Sequence, residues 1–183
     1  SFTVPAQTMI AKLDELYEKL KDAPGKFPEK APRLLFVGHA LAMGDYTVPR
    51  VVEESGAAIV GDFLDEGMRV YRHDLEIKDS PLTDFARSRY LKKPPINIFQ
   101  PSWKQRCEYM LKLFEECKAD GIIWYQLSFD EIYDMEYTCL AKWMHEKNIP
   151  LLKMESSYEY SREAMGPLTT RIESFVESLK KGN

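Results

Sequence analysis

The sequence predicts a three-layer α/β fold, in which a four-stranded, mainly parallel sheet has helices on both faces. Four short apolar runs alternate with longer segments of helical spacing. The runs are continuously apolar, which is typical of parallel strands covered on both sides. A chain of 183 residues is most simply one domain. We therefore expect a single α/β domain over residues 1–183, with a leading helix and linker in residues 1–32.

The leading segment is expected to form a helix and then a loop. Between residues 6 and 22, apolar side chains recur at helical spacing, at Met9, Leu13, Leu16, Tyr17 and Leu20. Residues 22–32 follow with three prolines and one glycine, a composition that predicts a loop.

Residues 33–62 predict a βαβ unit. The first strand, Arg33–Val37, stops at Gly38. A helix then begins near Asp45, a suitable N-cap, and ends at Gly56, a suitable helix stop. The second strand covers residues 57–62. Because such a crossover is right-handed, the carboxyl ends of both strands are expected at one edge of the sheet.

The rest of the chain predicts two further strands and four helices. A short helix is expected over 80–90 with Ser80 as its cap, and a long helix over 103–118 carries Cys107 on its inward face. The remaining predicted elements are a strand at 122–125, a helix at 133–147, a strand at 151–154 and a helix at 167–179.

Composition and charge exclude several classes of protein. The net charge of −4 does not favour a nucleic-acid-binding surface. No apolar run approaches the roughly 18 residues of a membrane span. The three cysteines are odd in number and form no C-x-x-C pair, which favours small buried side chains in a reducing, cytoplasmic protein over a disulfide framework.

Common nucleotide and hydrolase motifs do not occur in the sequence. It contains no G-x-G-x-x-G, no G-x-x-x-x-G-K-S/T and no G-x-S-x-G. The three histidines lack the spacing of a metal site. Acidic residues near the strand ends could bind a hard cation through oxygen, although ion pairing with Arg69 also explains part of that cluster.

The carboxyl ends of the four predicted strands should meet at one edge, where open α/β sheets bind ligands. The alternative is that strand ends are polar only because the chain turns into water there. Arg69 is expected to hold loop carboxylates or an anionic substrate group. The predicted ligand-edge residues are Gly38, His39, Asp62, Arg69, Gln126, Asp130, Tyr133 and Glu155.

Three segments, residues 51–71, 119–137 and 149–179, resemble the 2-hydroxyacyl-CoA dehydratase and benzoyl-CoA reductase family, in its D-component subunits. The resemblance rests on a Glu-Glu-Ser-Gly-Ala step before the second strand, on Gly67-x-Arg69, and on Phe129 with Tyr133 and Glu136. It extends over about residues 1 to 180. It implies a flavodoxin-like domain, excerpted from the C-terminal half of a two-domain subunit, whose ligand edge faces the other domain.

The same resemblance implies radical dehydration or reduction of acyl-CoA thioesters. It also implies a 4Fe-4S cluster between the two domains, a second subunit, and an ATP-dependent activator protein. Relatives place a ligand cysteine where this sequence has Asp130, and none of the three cysteines follows a predicted strand. Because such clusters are held by thiolates, we expect this chain to lack its own iron–sulfur ligands.

Three interpretations follow from that departure. The chain is part of a divergent subunit with a cluster-bearing partner, or a relative that binds acyl-CoA without radical chemistry, or Asp130 is a non-cysteinyl ligand. The expected function is a dehydratase-like lyase subunit whose isolated domain is inactive. The alternative from another class is a non-catalytic domain that contacts a partner through the same edge or through the first helix.

Overall fold

Four strands form one parallel sheet in the part of the chain that the structure describes. They are β1 (Arg33–Gly38), β2 (Ala58–Leu64), β3 (Gly121–Leu127) and β4 (Leu151–Ser156), in the order β2-β1-β3-β4. The computed structural model describes residues 4–68, 72, 74–78, 80–91, 102–157 and 162–182, without the side chains of 162–164. The predicted parallel α/β sheet is confirmed.

Six helices accompany these strands in the described ranges. They are α1 (Ala6–Leu20), α2 (Thr47–Glu54), α3 (Pro81–Ala86), α4 (Trp103–Glu116), α5 (Glu131–Glu146) and α6 (Arg162–Gly182), and a π-helical turn, Arg87–Leu91, extends α3. The alternation of helix and strand follows the predicted order.

Two apolar cores, one on each face of the sheet, make the fold three-layered. Successive residues of β1 point to opposite sides. Leu34 and Phe36 join the core covered by α2 and α6, whereas Leu35 and Val37 join the core covered by α4 and α5. Both faces of the two central strands are therefore buried, which explains why the sequence shows continuous apolar runs rather than alternation.

Two helix boundaries differ from the predictions for local reasons. α2 begins at Thr47, and Asp45 lies just before the N-cap position, where its carboxylate still accepts a hydrogen bond from the Thr47 N–H at 3.2 Å. α6 begins at residue 162 and continues through Pro167. An interior proline removes a hydrogen-bond donor and crowds the carbonyl four residues before it. Packing of the apolar face around Ile172 on the sheet offsets that cost.

The sequence predicted small, buried cysteine side chains, and this prediction is right for one cysteine and wrong for another. Cys107 is buried in the core beneath α4, as predicted, and Cys117 is half-buried. Cys139 is exposed on α5, so its interpretation as a small core side chain is wrong. Helical spacing placed it on a helix but did not fix which side of that helix faces the sheet.

The first helix confirms the predicted helical spacing but leaves its apolar face uncovered. α1 contains no buried residue, and Leu13, Tyr17 and Leu20 are each more than half exposed. No helix of the described residues is long and apolar enough to cross a membrane.

Gly38 allows the end of β1 to approach β3, and its replacement should destabilise the fold. Its φ is +125°, and a Cβ there would lie 2.0 Å from the Tyr125 carbonyl oxygen. We expect Gly38→Ala to lower the free energy of unfolding by more than about 2 kcal/mol. Gly44→Ala is the matched control, since Gly44 also has positive φ but nothing within 4 Å. It should cost only the backbone strain, roughly 1–2 kcal/mol. Equal losses in urea denaturation would contradict the steric explanation.

Candidate functional site

The carboxyl ends of the central strands bring His39 beside the start of α5. The backbone N–H of His39 donates to the Tyr125 carbonyl at 2.9 Å, which holds the residue after β1 against β3. On the side chain, Nδ1 lies 2.9 Å from the Ala40 carbonyl, so Nδ1 carries the proton that this contact requires. Nε2 then faces the Asp130 carboxylate at 3.9 Å.

Asp130 has a structural role as well as its contact with His39. Its Oδ1 accepts a hydrogen bond from the Tyr133 N–H at 3.2 Å and caps the N-terminus of α5. The preceding residue, Phe129, has a φ of +66° and a fully exposed side chain. A bulky residue in the left-handed region is strained, so this turn holds an aromatic ring in solvent at a local energetic cost.

Tyr133 connects three parts of the edge. Its hydroxyl donates to the Asp65 carboxylate in the loop after β2. Its ring packs against the His39 ring, with centroids 5.2 Å apart, and against Trp124 at 5.9 Å. Burial, with a smaller effect of Asp65, raises the pKa of Tyr133 well above its usual value. Tyr133 is therefore a neutral hydrogen-bond donor that ties the β2 loop to α5.

A buried ion pair lies on the inner face of α5, one turn beyond Tyr133. Arg106 of α4 donates through Nε to Oε1 of Glu136, and both side chains are almost completely buried. The Arg106 guanidinium also lies over the Phe63 ring at 4.6 Å. Burial raises the pKa of Glu136 to about 7, although Arg106 opposes the shift. The sequence did not predict this pair. Its signals were Glu136, which carries part of the family resemblance, and an arginine next to Cys107 on the predicted inward face.

Gln126 points inward, and its amide is engaged by the protein. Its Oε1 accepts from the indole N–H of Trp124 at 2.9 Å, and its Nε2 donates to Asp134 at 3.4 Å. The side chain is buried. Gln126 therefore orients Asp134 at the edge.

Lys153 is a cation at the edge that the sequence analysis did not single out. Its ammonium pairs with Asp134 and Glu155 and lies 5.1 Å from the centre of the Tyr137 ring. These contacts outweigh partial burial and raise the pKa of Lys153. The signal in the sequence was a lysine inside the apolar run of β4, where one side of an edge strand reaches water.

An open cavity of about 560 Å³ lies between the ends of β3 and β4 and the start of α5. Acidic and hydroxyl side chains dominate its lining. The lining residues are Gln126, Ser128, Phe129, Asp130, Glu131, Asp134, Glu155 and Ser157.

The predicted edge residues thus fall into distinct groups. His39, Asp130 and Tyr133 lie together, while Gln126, Asp130 and Glu155 line the cavity. Asp62 instead shapes its own loop, because its carboxylate accepts from the Met68 N–H at 2.9 Å. Gly38 contributes backbone geometry, and Arg69 lies outside the described residues.

The residues at this edge do not fit a thiolate-bound iron–sulfur cluster. Burial raises the pKa of Cys107 to about 12, so its thiol stays protonated in the core. Cys117 lies at the opposite edge, where its carbonyl accepts from Arg33 at the start of β1. Cys139 is on α5, about 13 Å along the helix from Asp130 at 1.5 Å per residue. No described group of three or more His, Cys, Asp or Glu residues could hold a metal ion.

These features define an α/β domain with a polar carboxyl edge and an adjacent open cavity. The chain belongs to the 2-hydroxyglutaryl-CoA dehydratase D-component family, whose model matches residues 1–179. The family predicted from the three sequence segments is therefore confirmed.

Two relatives are similar over nearly the whole chain. The (R)-phenyllactyl-CoA dehydratase beta subunit of Clostridium sporogenes is 27% identical over 173 residues, which are 92% of this chain and 43% of that protein. The (R)-2-hydroxyglutaryl-CoA dehydratase subunit beta of Acidaminococcus fermentans is 27% identical over 177 residues, 92% of this chain and 44% of that protein. The chain thus spans less than half the length of these relatives.

Breaking the buried ion pair should cost more than replacing it. We expect Glu136→Leu alone to lower the free energy of unfolding by about 3–5 kcal/mol, because it leaves the buried Arg106 charge unpaired. Arg106→Met alone should cost less, because the buried Glu136 can take up a proton. The double variant should recover most of that loss, measured by urea denaturation. Additive losses would mean that the two charges do not interact.

The titration of Glu136 should make stability fall as pH rises. Its folded-state pKa of about 7 lies above the ordinary 4.5, so the folded protein binds more protons than the unfolded chain between these values. The free energy of unfolding should therefore decrease across this window. Urea denaturation at several pH values measures the slope, and Glu136→Gln should remove this contribution. An unchanged slope in the variant would contradict the assignment.

Proposed function

We propose that the chain is the C-terminal α/β domain of a 2-hydroxyacyl-CoA dehydratase-type subunit, and that its carboxyl edge forms one wall of a cleft completed by another domain. The observation that carries this proposal is the convergence of His39, Asp130 and Tyr133 beside an open cavity, in a chain whose residues 1–179 match the D-component family. The names of the two relatives support a lyase acting on an acyl-CoA thioester.

His39 is the edge group best suited to move a proton. Its Nδ1 is held by the Ala40 carbonyl, and its partly exposed Nε2 faces the Asp130 carboxylate. Nε2 is the ring atom that a substrate can reach, so it is the atom through which His39 would exchange a proton with the substrate. Tyr133, held neutral, supports the ring and keeps the β2 loop in place.

A cluster, where such an enzyme uses one, would be held by another polypeptide segment in our proposal. The donor set of this edge is carboxylate and imidazole, whereas cluster iron prefers thiolate. In this proposal, that segment and a second subunit both bind at the same edge. The names of the relatives, which are beta subunits, support a partner subunit. An ATP-dependent activator belongs to the same proposal.

The cofactor proposal is tested by purifying this chain anaerobically and measuring iron and sulfide. We expect far less than one cluster per chain, because none of its three cysteines reaches the edge. A stoichiometric cluster would contradict the proposal. If Asp130→Asn then removed that cluster, Asp130 would be its ligand.

The proposed activity is tested in the full-length protein, purified with its partner subunit and supplied with activator, ATP and reductant. We expect dehydration of a 2-hydroxyacyl-CoA to the enoyl-CoA. Mass spectrometry of the thioester product measures this reaction. His39→Ala and Asp130→Asn should each lower kcat by about 10²-fold or more, the range of general acid–base effects. His145→Ala is the matched control, since His145 is exposed at the far end of α5. A reconstituted complex without turnover would contradict the proposed function.

A non-catalytic interaction domain is the second candidate function. It is favoured by the uncovered apolar face of α1. In that case His39→Ala and Asp130→Asn would leave turnover of the complex unchanged. Leu13→Ser with Tyr17→Ser on α1 would instead prevent assembly of the complex, as measured by size-exclusion chromatography.

A further inference from the structure

We propose that the start of α5 is a docking face for a basic, apolar segment of another polypeptide. This α5 docking face consists of three exposed apolar residues and the four carboxylates of the adjoining cavity. The residues are Phe129, Ile132, Met135, Asp130, Glu131, Asp134 and Glu155.

The apolar part of the face consists of Phe129, in the turn before α5, and two residues of the first part of the helix. Phe129, Ile132 and Met135 follow one another at intervals of three residues, and their exposures are 101%, 42% and 65%. Tyr133 and Glu136 of the same helix are buried against the domain, whereas Met135 is turned away from both of them. The orientation of α5 is therefore fixed, and its apolar row points outward. Adjacent exposed apolar side chains of this kind mark interaction surfaces.

The polar part of the face determines the charge of the partner. Asp130, Glu131, Asp134 and Glu155 line the cavity, and none of the described residues in the lining is basic. Lys153 pairs with Asp134 and Glu155, which leaves four carboxylates against one ammonium group. The surface is therefore complementary to Lys or Arg side chains and repels phosphate groups. The phosphates of an acyl-CoA are thus poor occupants of this cavity.

The shape of the face allows both parts to be used together. A second depression of about 460 Å³ adjoins the cavity and shares Phe129, Asp130 and Glu131 with it, and Ile132 belongs to its lining. Phe129 therefore lines both depressions. A basic side chain in the cavity and an apolar side chain in the second depression would enclose the Phe129 ring from both sides, with a cation–π contribution from the basic group.

α1 provides a comparison that lacks this charge signal. Its apolar side chains are exposed too, but acidic and basic residues alternate beside them, and Lys19 pairs with Glu15 on the same helix. Nothing about α1 selects the charge of a partner. The α5 docking face therefore supports a specific prediction, whereas α1 supports only the presence of an uncovered apolar surface.

This inference deepens the proposed function, because it gives the chemistry of the polypeptide that faces the edge. It rests on that proposal only for the biological identity of the partner. Peptide binding to this chain requires no turnover, so binding and activity can fail independently.

The test uses two amphipathic helical peptides of about 15 residues, a length near the limit for isolated helices. One consists of leucine and lysine, the other of leucine and glutamate. We expect the lysine peptide to shift the amide resonances of residues 128–135 in the isotopically labelled chain. We expect the glutamate peptide to bind at least about tenfold more weakly, and salt to reduce the difference.

Variants of the chain separate the apolar and acidic contributions. Phe129→Gly should fold, because glycine tolerates the positive φ, and should weaken binding of the lysine peptide about tenfold. Glu131→Gln with Met135→Ser should weaken it similarly. Leu82→Ser is the control, since Leu82 is exposed on α3, away from this face, and should leave binding unchanged.

Four outcomes would overturn the inference. They are equal binding of both peptides, resonance shifts that map to α1, displacement of the lysine peptide by free coenzyme A at this face, and self-association of the chain that Phe129→Gly abolishes. The last would mean that the occupant is a second copy of the chain.

Discussion

Burial of the two central strands on both faces is the constraint on which the rest of the structure depends. β1 and β3 pair along their length, and each contributes to both apolar cores. The side chains within these strands are buried in the two cores, so polar side chains can reach a ligand only at the strand ends. The close contact at Gly38 sets where β1 ends and so places His39 opposite the N-terminus of α5.

Buried polar and charged side chains hold α5 to its neighbours at positions where apolar side chains could also pack. The Arg106–Glu136 pair and the Tyr133–Asp65 hydrogen bond together join α4, α5 and the loop after β2. Buried ion pairs of this type seldom add net stability compared with apolar residues. Together with the buried Leu140 and Met144, these polar contacts fix the rotation of α5 about its axis and leave Met135 exposed. Interior polar contacts thus contribute to the choice of the α5 side chains that form the proposed docking face.

The family match covers the fold, whereas the side chains at the edge are carboxylates and an imidazole. The D-component match extends over residues 1–179. At the edge, however, the chain presents Asp130 and His39, and Asp130 already caps a helix. Hard oxygen and imidazole ligands do not substitute readily for thiolates at a cluster. In the function we propose, this edge is one wall of a composite site whose metal ligands belong to other segments.

The sequence by itself determined the element order, the parallel sheet and the edge at which polar residues gather, because apolar periodicity and strand ends are local properties. Only the tertiary structure decided which edge residues act together. Asp62 binds the backbone of its own loop, and the side chain of Gln126 is buried. The edge also contains Lys153 and lies beside the Arg106–Glu136 ion pair, neither of which the sequence predicted. Those outcomes depend on the rotation of helices about their axes and on contacts between residues distant in sequence, neither of which spacing along one chain can specify.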